Sequence, residues 1–193
     1  MIEVFNIKKG LVIGLLKLNE FAKANNLSQK REIETKGKQF LINYLLNNNI
    51  EILYDKNGKP HLLNDSKHIS ISHSHDKIAI IINDDEKTGI DIELIRDKVL
   101  KIKHKFLSES ELENAENDPE KLLIYWGAKE SLYKIYGLKE VDFIKNLHIK
   151  PFIKHNLGTI IGTIDMFNFN HSFELNYLKI DDYILVYALM QIK

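Results

Sequence analysis

Short apolar segments separated by turn residues constrain the fold of this chain most strongly. Segments in which apolar and polar residues alternate predict half-buried strands, whereas apolar residues at helical spacing predict helices. Strands are predicted at residues 2–7, 50–54, 60–63, 68–72, 77–82, 88–94, 143–154, 159–169, 173–180 and 183–190. A helical pattern covers residues 11–24, and capping residues predict further helices. The mixture predicts an α+β fold.

Two of the predicted helices have clear start signals. Ser28 is typical of an N-cap. The residues predicted to share the buried face of the helix that follows it are Ile33, Phe40, Leu41, Tyr44 and Leu45. A longer helix is predicted from Asp118-Pro119-Glu120, which combines a cap, a proline at the first helical position and an acid in the first turn. Gly137 predicts its end.

The order of the elements repeats loosely along the chain. The strands at residues 68–72, 77–82 and 88–94 predict one antiparallel sheet with helices on one face. Beyond them, capping-box spacing at Ser108 with Glu111, or at Ser110 with Glu113, predicts a short helix before the remaining strands. Two α+β halves packed together are therefore expected.

The composition excludes several classes of protein. The chain has no cysteine, so it has no disulfide, thiolate metal site or catalytic thiol. Its 27 basic and 27 acidic side chains cancel, which argues against binding to nucleic acid by overall charge. No apolar run reaches the roughly 18 residues that a membrane helix needs, and the N-terminus lacks the pattern of a secretion signal. We therefore expect a cytoplasmic protein without a membrane span.

A basic run follows the strand at residues 88–94. Its members are Arg96, Lys98, Lys101, Lys103, His104 and Lys105. Such a run favours a docking surface for an acidic partner. It is also typical of a solvated helix face, so both interpretations stay open.

Asp91 and Glu93 form the most informative local pattern. Because side chains alternate along a strand, both carboxylates face one way while Ile90 and Ile92 face the other. Carboxylates about 7 Å apart suit Mg²⁺, which takes a few oxygen ligands from protein and the rest from water and phosphate. The alternative is an exposed sheet face with two ordinary acids.

A second pattern lies on the long helix. Trp126, Glu130 and Lys134 are four residues apart and form one stripe, with Lys129 beside it. The functional interpretation makes Glu130 a metal ligand or proton acceptor and Lys134 a phosphate contact. The alternative is a surface ion pair of small energetic consequence.

A third pattern, Ser72-His73, ends a predicted strand, where a hydroxyl, an imidazole and backbone amides can hold phosphate oxygens. A Ser-His dyad for acyl transfer is disfavoured because adjacent strand residues point to opposite faces. Upstream, Gly58-Lys59-Pro60 places a lysine at the tip of a hairpin turn that begins at Asn57.

Together these segments resemble the motifs of the 4′-phosphopantetheinyl transferase superfamily. In chain order they are Gly58-Lys59-Pro60, Ile71-Ser72-His73-Ser74, Gly89-Ile90-Asp91-Ile92-Glu93, and the segment from Trp126 to Lys134. The likeness is to the larger, single-chain branch of enzymes that activate surfactin synthetase, and it spans residues 58–137. It implies two similar α+β halves related by a pseudo-twofold axis, each with an antiparallel sheet and packed helices. The halves would be residues 1–97 and 98–193, with the active site at their interface.

The resemblance also implies roles for individual residues. Asp91, Glu93 and Glu130 would bind Mg²⁺. The coenzyme A contacts would be Lys59, Ser72, His73, Lys129 and Lys134. Glu130 and Lys134 would be catalytic, with Glu130 accepting a proton. The family also uses an arginine for the 3′-phosphate of coenzyme A, for which Arg31, Lys36 or Lys38 are the candidates here.

The implied reaction transfers 4′-phosphopantetheine from coenzyme A to a serine of an apo acyl or peptidyl carrier protein, which is a holo-[acyl-carrier-protein] synthase activity. It releases 3′,5′-ADP, and we expect a monomer. With water as nucleophile, the same acids would suit a magnesium-dependent pyrophosphatase or phosphodiesterase. A non-catalytic relative that binds coenzyme A or a carrier is the remaining alternative.

Overall fold

Helices and antiparallel sheets make up the computed structural model, which describes the backbone of residues 1–192 and the side chains of residues 1–188. The predicted α+β class is confirmed. The chain divides into a first unit, Met1–Lys87, and a second unit, Thr88–Lys193. The boundary expected near Asp97 falls instead at Lys87, because the strand after Lys87 pairs within the second unit.

The first unit packs two helices against an antiparallel sheet. Its elements are β1 (Ile2–Lys8), β2 (Leu11–Lys17), α1 (Leu18–Ala24), α2 (Lys30–Leu46), β3 (Ile52–Tyr54), β4 (Pro60–Leu62), β5 (His68–Ser74) and β6 (Lys77–Asn83). The sheet has the order β1-β2-β6-β5, and β3 and β4 form a separate hairpin. Apolar side chains of both helices meet those of β2 and β6 in the core.

The helix predicted at residues 11–24 is wrong in its first part. Leu11–Lys17 form β2, and only Leu18–Ala24 are helical. β2 lies between β1 and β6 and is buried along most of its length. Because a central strand covered on both faces is a continuous apolar run, the sequence period alone does not distinguish it from a helix.

Helix α2 also differs from its prediction in detail. It begins after Gln29 rather than after Ser28, and no side chain caps it. Leu41 is buried as predicted, but Phe40 and Tyr44 are 36% and 57% exposed. The buried stripe is therefore narrower than the apolar spacing predicts.

The predicted hairpin between β3 and β4 is confirmed. Gly58 has a φ of +85°, a conformation that glycine adopts readily. The carboxylate of Asp55 accepts hydrogen bonds from the backbone N–H groups of Asn57 and Lys59 at 2.8 and 2.9 Å. These bonds fix the turn that carries Lys59.

The second unit packs helices on a five-stranded antiparallel sheet. Its elements are β7 (Gly89–Leu94), α3 (Lys98–Ile102), a 3₁₀ turn (Lys103–Lys105), α4 (Glu109–Ala115), α5 (Pro119–Tyr136), β8 (Leu147–Ile149), β9 (Leu157–Met166), β10 (Phe169–Ile180) and β11 (Tyr183–Ile192). The strand order is β7-β11-β10-β9-β8. The prediction that residues 88–94 share a sheet with residues 68–72 and 77–82 is therefore wrong.

The helix start signals of the second unit are confirmed. The carboxylate of Asp118 accepts from the backbone N–H groups of Glu120 and Lys121, and Gly137 ends α5 with a φ of +69°. Of the two possible capping boxes, the structure forms the one between Ser108 and Glu111. No helix within residues 1–192 has the length and apolar character needed to cross a membrane.

The strand predicted at residues 143–154 shortens to β8, Leu147–Ile149. Just before it, the carboxylate of Asp142 accepts hydrogen bonds from the backbone N–H groups of Ile144 and Lys145 at 2.9 and 3.1 Å. These local bonds replace the ladder bonds that a longer strand would need.

Candidate functional site

Strand β7 presents two acids to helix α5. Asp91 lies opposite Val186 of β11, and α5 packs across both strands. The indole N–H of Trp126 donates to Glu93 Oε1 at 3.3 Å, so this side chain also faces the helix. The alternation predicted for β7 thus brings both carboxylates to one helix.

Lys134 supplies a positive charge beside these acids. Its Nζ lies 2.8 Å from Asp91 Oδ1 and 2.7 Å from the backbone oxygen of Ile90. The side chain of Asp91 is only 6% exposed, whereas that of Lys134 is 23% exposed. The pair therefore has a buried carboxylate and a lysine with a path to solvent.

Glu130 is the third acid at this position. Burial is the largest cause that raises the pKa of Glu130, to about 7, and the negative charge of Asp91 raises it further. The charge of Lys134 acts in the opposite direction, and that of Glu93 adds a smaller increase. Asp91, Glu93 and Glu130 are called the acid cluster below, because the charges of the first two both raise the pKa of the third.

Two glycines allow α5 to approach the sheet this closely. A Cβ atom on Gly89 would lie 2.0 Å from the backbone oxygen of Ser131, and one on Gly127 would lie 2.8 Å from Val186 Cγ2. A larger residue at Gly89 would push the helix away, and one at Gly127 would displace the side chain of Val186. The absence of a side chain at Gly89 and Gly127 is therefore a packing requirement here.

The acid cluster suits a divalent cation by its chemistry. Among the side chains of residues 1–188, no three His, Asp or Glu groups are arranged to hold a metal ion in this conformation. The cluster nevertheless consists of oxygen donors, which Mg²⁺ prefers. The charges of Asp91 and Glu93 add to the burial that raises the pKa of Glu130, and a bound cation would offset this repulsion.

Lys129 points away from the acid cluster. It is fully buried, and its Nζ donates to the backbone oxygens of Phe106 and Phe143, both at 2.8 Å, and to Glu111 Oε2 at 2.7 Å. These bonds use all three ammonium protons. The coenzyme contact expected for Lys129 remains a prediction, and it would require breaking at least one of these bonds.

The other expected phosphate contacts lie in the first unit. Ser72 is 8% exposed on β5, and the next residue, His73, places its Nε2 3.7 Å from Glu34 Oε1 of α2. Lys59 is half-buried, and burial followed by the positive charge of Lys87 lowers its pKa. The roles of these residues remain predictions.

The structure does not choose a substitute for the family's arginine. Lys36 pairs with Glu32 at 2.7 Å. Lys38 contacts the hydroxyl of Tyr54 at 3.4 Å, and Arg31 is exposed. All three lie on α2, so the alternatives remain open.

The spacing of residues in the sequence does not predict the side chains that pair with Lys129 and His73. Glu111 was expected only as part of a possible capping box, yet it also receives the buried ammonium of Lys129. Glu34, which lies beside His73, was not singled out at all. Neither pairing has a local signal, because the partners are far apart along the chain.

The match of this chain to a known family lies almost entirely in the second unit. The family model described as the 4′-phosphopantetheinyl transferase superfamily matches residues 87–188, which is more than half of the chain. The matched segment contains the whole acid cluster and Lys134. A comparison with curated proteins gives no match.

Proposed function

Because the chain belongs to the 4′-phosphopantetheinyl transferase superfamily, we propose that it transfers the 4′-phosphopantetheine group of coenzyme A to a serine of an apo carrier protein. Membership of the superfamily supports phosphopantetheinyl transfer in general, and the donor and acceptor are our proposal. The observation that carries it is the acid cluster on β7 and α5, with Lys134 paired to Asp91 at 2.8 Å.

Mg²⁺ is the cofactor of the proposed reaction, and Asp91, Glu93 and Glu130 would hold it. When bound, the ion would neutralise charge on the pyrophosphate of coenzyme A. The three acids suit this role because they are hard oxygen donors with surplus negative charge next to a helix that fixes their positions.

Glu130 is the proposed proton acceptor. The serine oxygen of the carrier attacks the β-phosphorus of coenzyme A, the bond from that phosphorus to the bridging oxygen breaks, and 3′,5′-ADP leaves. With the cation bound, the carboxylate of Glu130 would be ionised at neutral pH and so able to accept a proton. Glu130 therefore takes the serine proton as the new bond forms.

Lysine, histidine and serine side chains would bind the phosphates. Lys134 would exchange Asp91 for a pyrophosphate oxygen, which its partly exposed side chain permits. His73, whose side chain is 51% exposed, together with Lys59 and Ser72, would contact further phosphate oxygens. These assignments rest on the family motifs.

The basic run is the proposed docking surface for the carrier protein. Lys101, His104 and Lys105 are exposed, whereas Lys103 is half-buried and donates to Asn117. The carrier proteins that the family modifies are commonly acidic, so attraction between the basic run and the carrier would favour association.

Mass spectrometry of candidate apo carriers, incubated with this protein, coenzyme A and Mg²⁺, tests the proposal. A gain of one phosphopantetheine on a serine is expected. Hydrolysis of coenzyme A without a carrier would support the pyrophosphatase or phosphodiesterase instead. Tight coenzyme A binding with no change in any carrier would support the non-catalytic relative.

A further inference from the structure

Lys129 is the one lysine of the α5 motif that is completely buried. A buried ammonium group loses its hydration and is tolerated only where protein atoms replace the water. Here two backbone oxygens and one carboxylate do so, at 2.7 to 2.8 Å. The motif lysine is therefore committed to contacts inside the second unit.

The three acceptors come from separate segments of the chain. Phe106 follows the 3₁₀ turn, Glu111 lies on α4, and Phe143 lies in the loop before β8. The ammonium group of Lys129 therefore ties α5 to three segments at once.

Glu111 extends these connections. Its Oε2 also accepts from the backbone N–H of Ser108 at 2.9 Å, and its Oε1 accepts from the backbone N–H of Ile149, on β8, at 3.0 Å. Both members of the Lys129–Glu111 pair are almost inaccessible to solvent. The pair therefore lies at the centre of a closed network that includes the N-terminus of α4 and the edge strand of the sheet.

Two of these segments also contact Trp126, which lies three residues before Lys129 on α5. The rings of Phe106 and Phe143 lie 5.0 and 5.6 Å from the ring of Trp126, whose N–H donates to Glu93. Since successive helix residues point about 100° apart, Lys129 faces this network while Glu130 faces β7. The rotation of α5 that satisfies Lys129 is thus the rotation that directs Glu130 at Asp91 and Glu93.

We propose that Lys129 is a positioning residue, which fixes the rotation of α5 through its buried pair with Glu111 and so holds Glu130 in the acid cluster. This inference rests on the proposed function for the use of the acid cluster as a magnesium site. It differs from the coenzyme contact that the family resemblance implies.

Binding measurements with the intact protein separate these two roles. Mg²⁺ affinity and, in EDTA, the affinity for 3′,5′-ADP are measured for the wild-type protein and for Lys129→Met and Glu111→Gln. Both variants should lose about tenfold or more in Mg²⁺ affinity, as other residues that orient metal ligands do, with 3′,5′-ADP affinity unchanged. The double variant removes both buried charges, which limits unfolding, and should lose no more affinity than one single variant.

Tyr125→Phe is the matched control, because it removes a 2.8 Å hydrogen bond to Asn114 from the same helix and leaves every hydrogen bond of Lys129 and Glu111 in place. It should lower the melting temperature and leave Mg²⁺ affinity unchanged. Wild-type Mg²⁺ affinity in Lys129→Met, or weaker 3′,5′-ADP binding with normal Mg²⁺ affinity, would overturn the positioning role alone. If the wild-type protein itself binds no Mg²⁺, the proposed function falls first and takes this inference with it.

Discussion

Helix α5 carries two ionic groups of opposite character. At its start, Asp118 and Glu120 meet Lys154 and Lys179, which together form the cap network. Glu120 accepts from Lys179 at 2.7 Å and from Lys154 at 3.2 Å. The hydrogen bond from Lys179 is the largest cause that lowers the pKa of Glu120. Two acids and two bases balance in this network.

The acid cluster, halfway along the helix, is unbalanced. Among the side chains of residues 1–188, the charges that act on Glu130 are those of two further carboxylates and of Lys134, and its pKa is raised to about 7, first by burial and then by Asp91. Such a group lowers the stability of the folded protein unless a proton or a cation joins it. The comparison teaches that the paired charges of the cap network stabilise the fold. The excess negative charge of the acid cluster lowers stability, and a group of this kind indicates a binding or catalytic role.

The largest expected effect is the loss of transfer in variants of the acid cluster. Glu130→Gln removes the proposed proton acceptor and one metal ligand, so carrier labelling should fall by about 100-fold or more. Asp91→Ala should have a similar effect. Glu120→Gln, the control in the cap network, should label the carrier at the wild-type rate, and a comparable loss in that variant would remove the distinction between the two groups.

Removing the charge of Glu130 should have a smaller effect on stability, and here the variant should gain where its activity is lost. Because the folded-state pKa of Glu130 is about 7 and its ordinary value is 4.5, the folded protein retains this proton longer than the unfolded chain. The stability from this proton is fully present below about pH 4.5 and is lost as the pH rises through about 7.

Without metal, at pH 8, Glu130→Gln should therefore be more stable than the wild-type protein, by about 2 kcal/mol. Urea unfolding in EDTA from pH 4.5 to 8 measures the difference, which should shrink at the acid end. Equal stability across this range would mean that the acid cluster is not strained.

Neutralising an acid of the cap network should lower stability instead of raising it. Glu120→Gln removes two ion pairs of partly buried groups and should lower stability at neutral pH by about 1 kcal/mol. The pKa of Glu120 is lowered by folding, so its contribution is present above the unfolded-state value and is lost as the pH falls. Thermal unfolding should show that the variant and the wild-type protein converge in acid, and a difference that persists there would contradict the charge balance.

Reversing charges outside both the acid cluster and the cap network should have the smallest effect on the transfer reaction. Reversing Lys101 and Lys105 to Glu should raise the KM for the carrier several-fold through repulsion, with the KM for coenzyme A unchanged. The matched control reverses Lys139 and Lys150, which are also exposed residues of the second unit. Equal changes in the two double variants would show that overall charge, rather than the basic run, governs docking.

Local signals in the sequence predicted the correct structure where the bonds themselves are local. Asp118 caps α5 through N–H groups two and three residues later, and Asn57-Gly58 forms a tight turn. The alternation of β7 likewise predicted that Asp91 and Glu93 share a face. These features need no information from distant parts of the chain.

Predictions failed where distant partners decide the structure. β2 is a strand because it pairs with β1 and β6, and nothing in its apolar run encodes those neighbours. The backbone oxygen of Phe143 bonds Lys129 rather than a strand partner. Within the candidate site, the motif predicts phosphate contacts for both Lys129 and Lys134, but only the folded chain shows that these two lysines have different environments.

The approach of Gly89 to Ser131 has a consequence for redesign. The gap between strand and helix is set there by main-chain atoms, which have no alternative rotamers. Substitutions among the surrounding apolar side chains should therefore leave the spacing of the carboxylates almost unchanged. A variant intended to accept a larger ion would have to begin at this contact, and the side chains that bind the ion would be altered only afterwards.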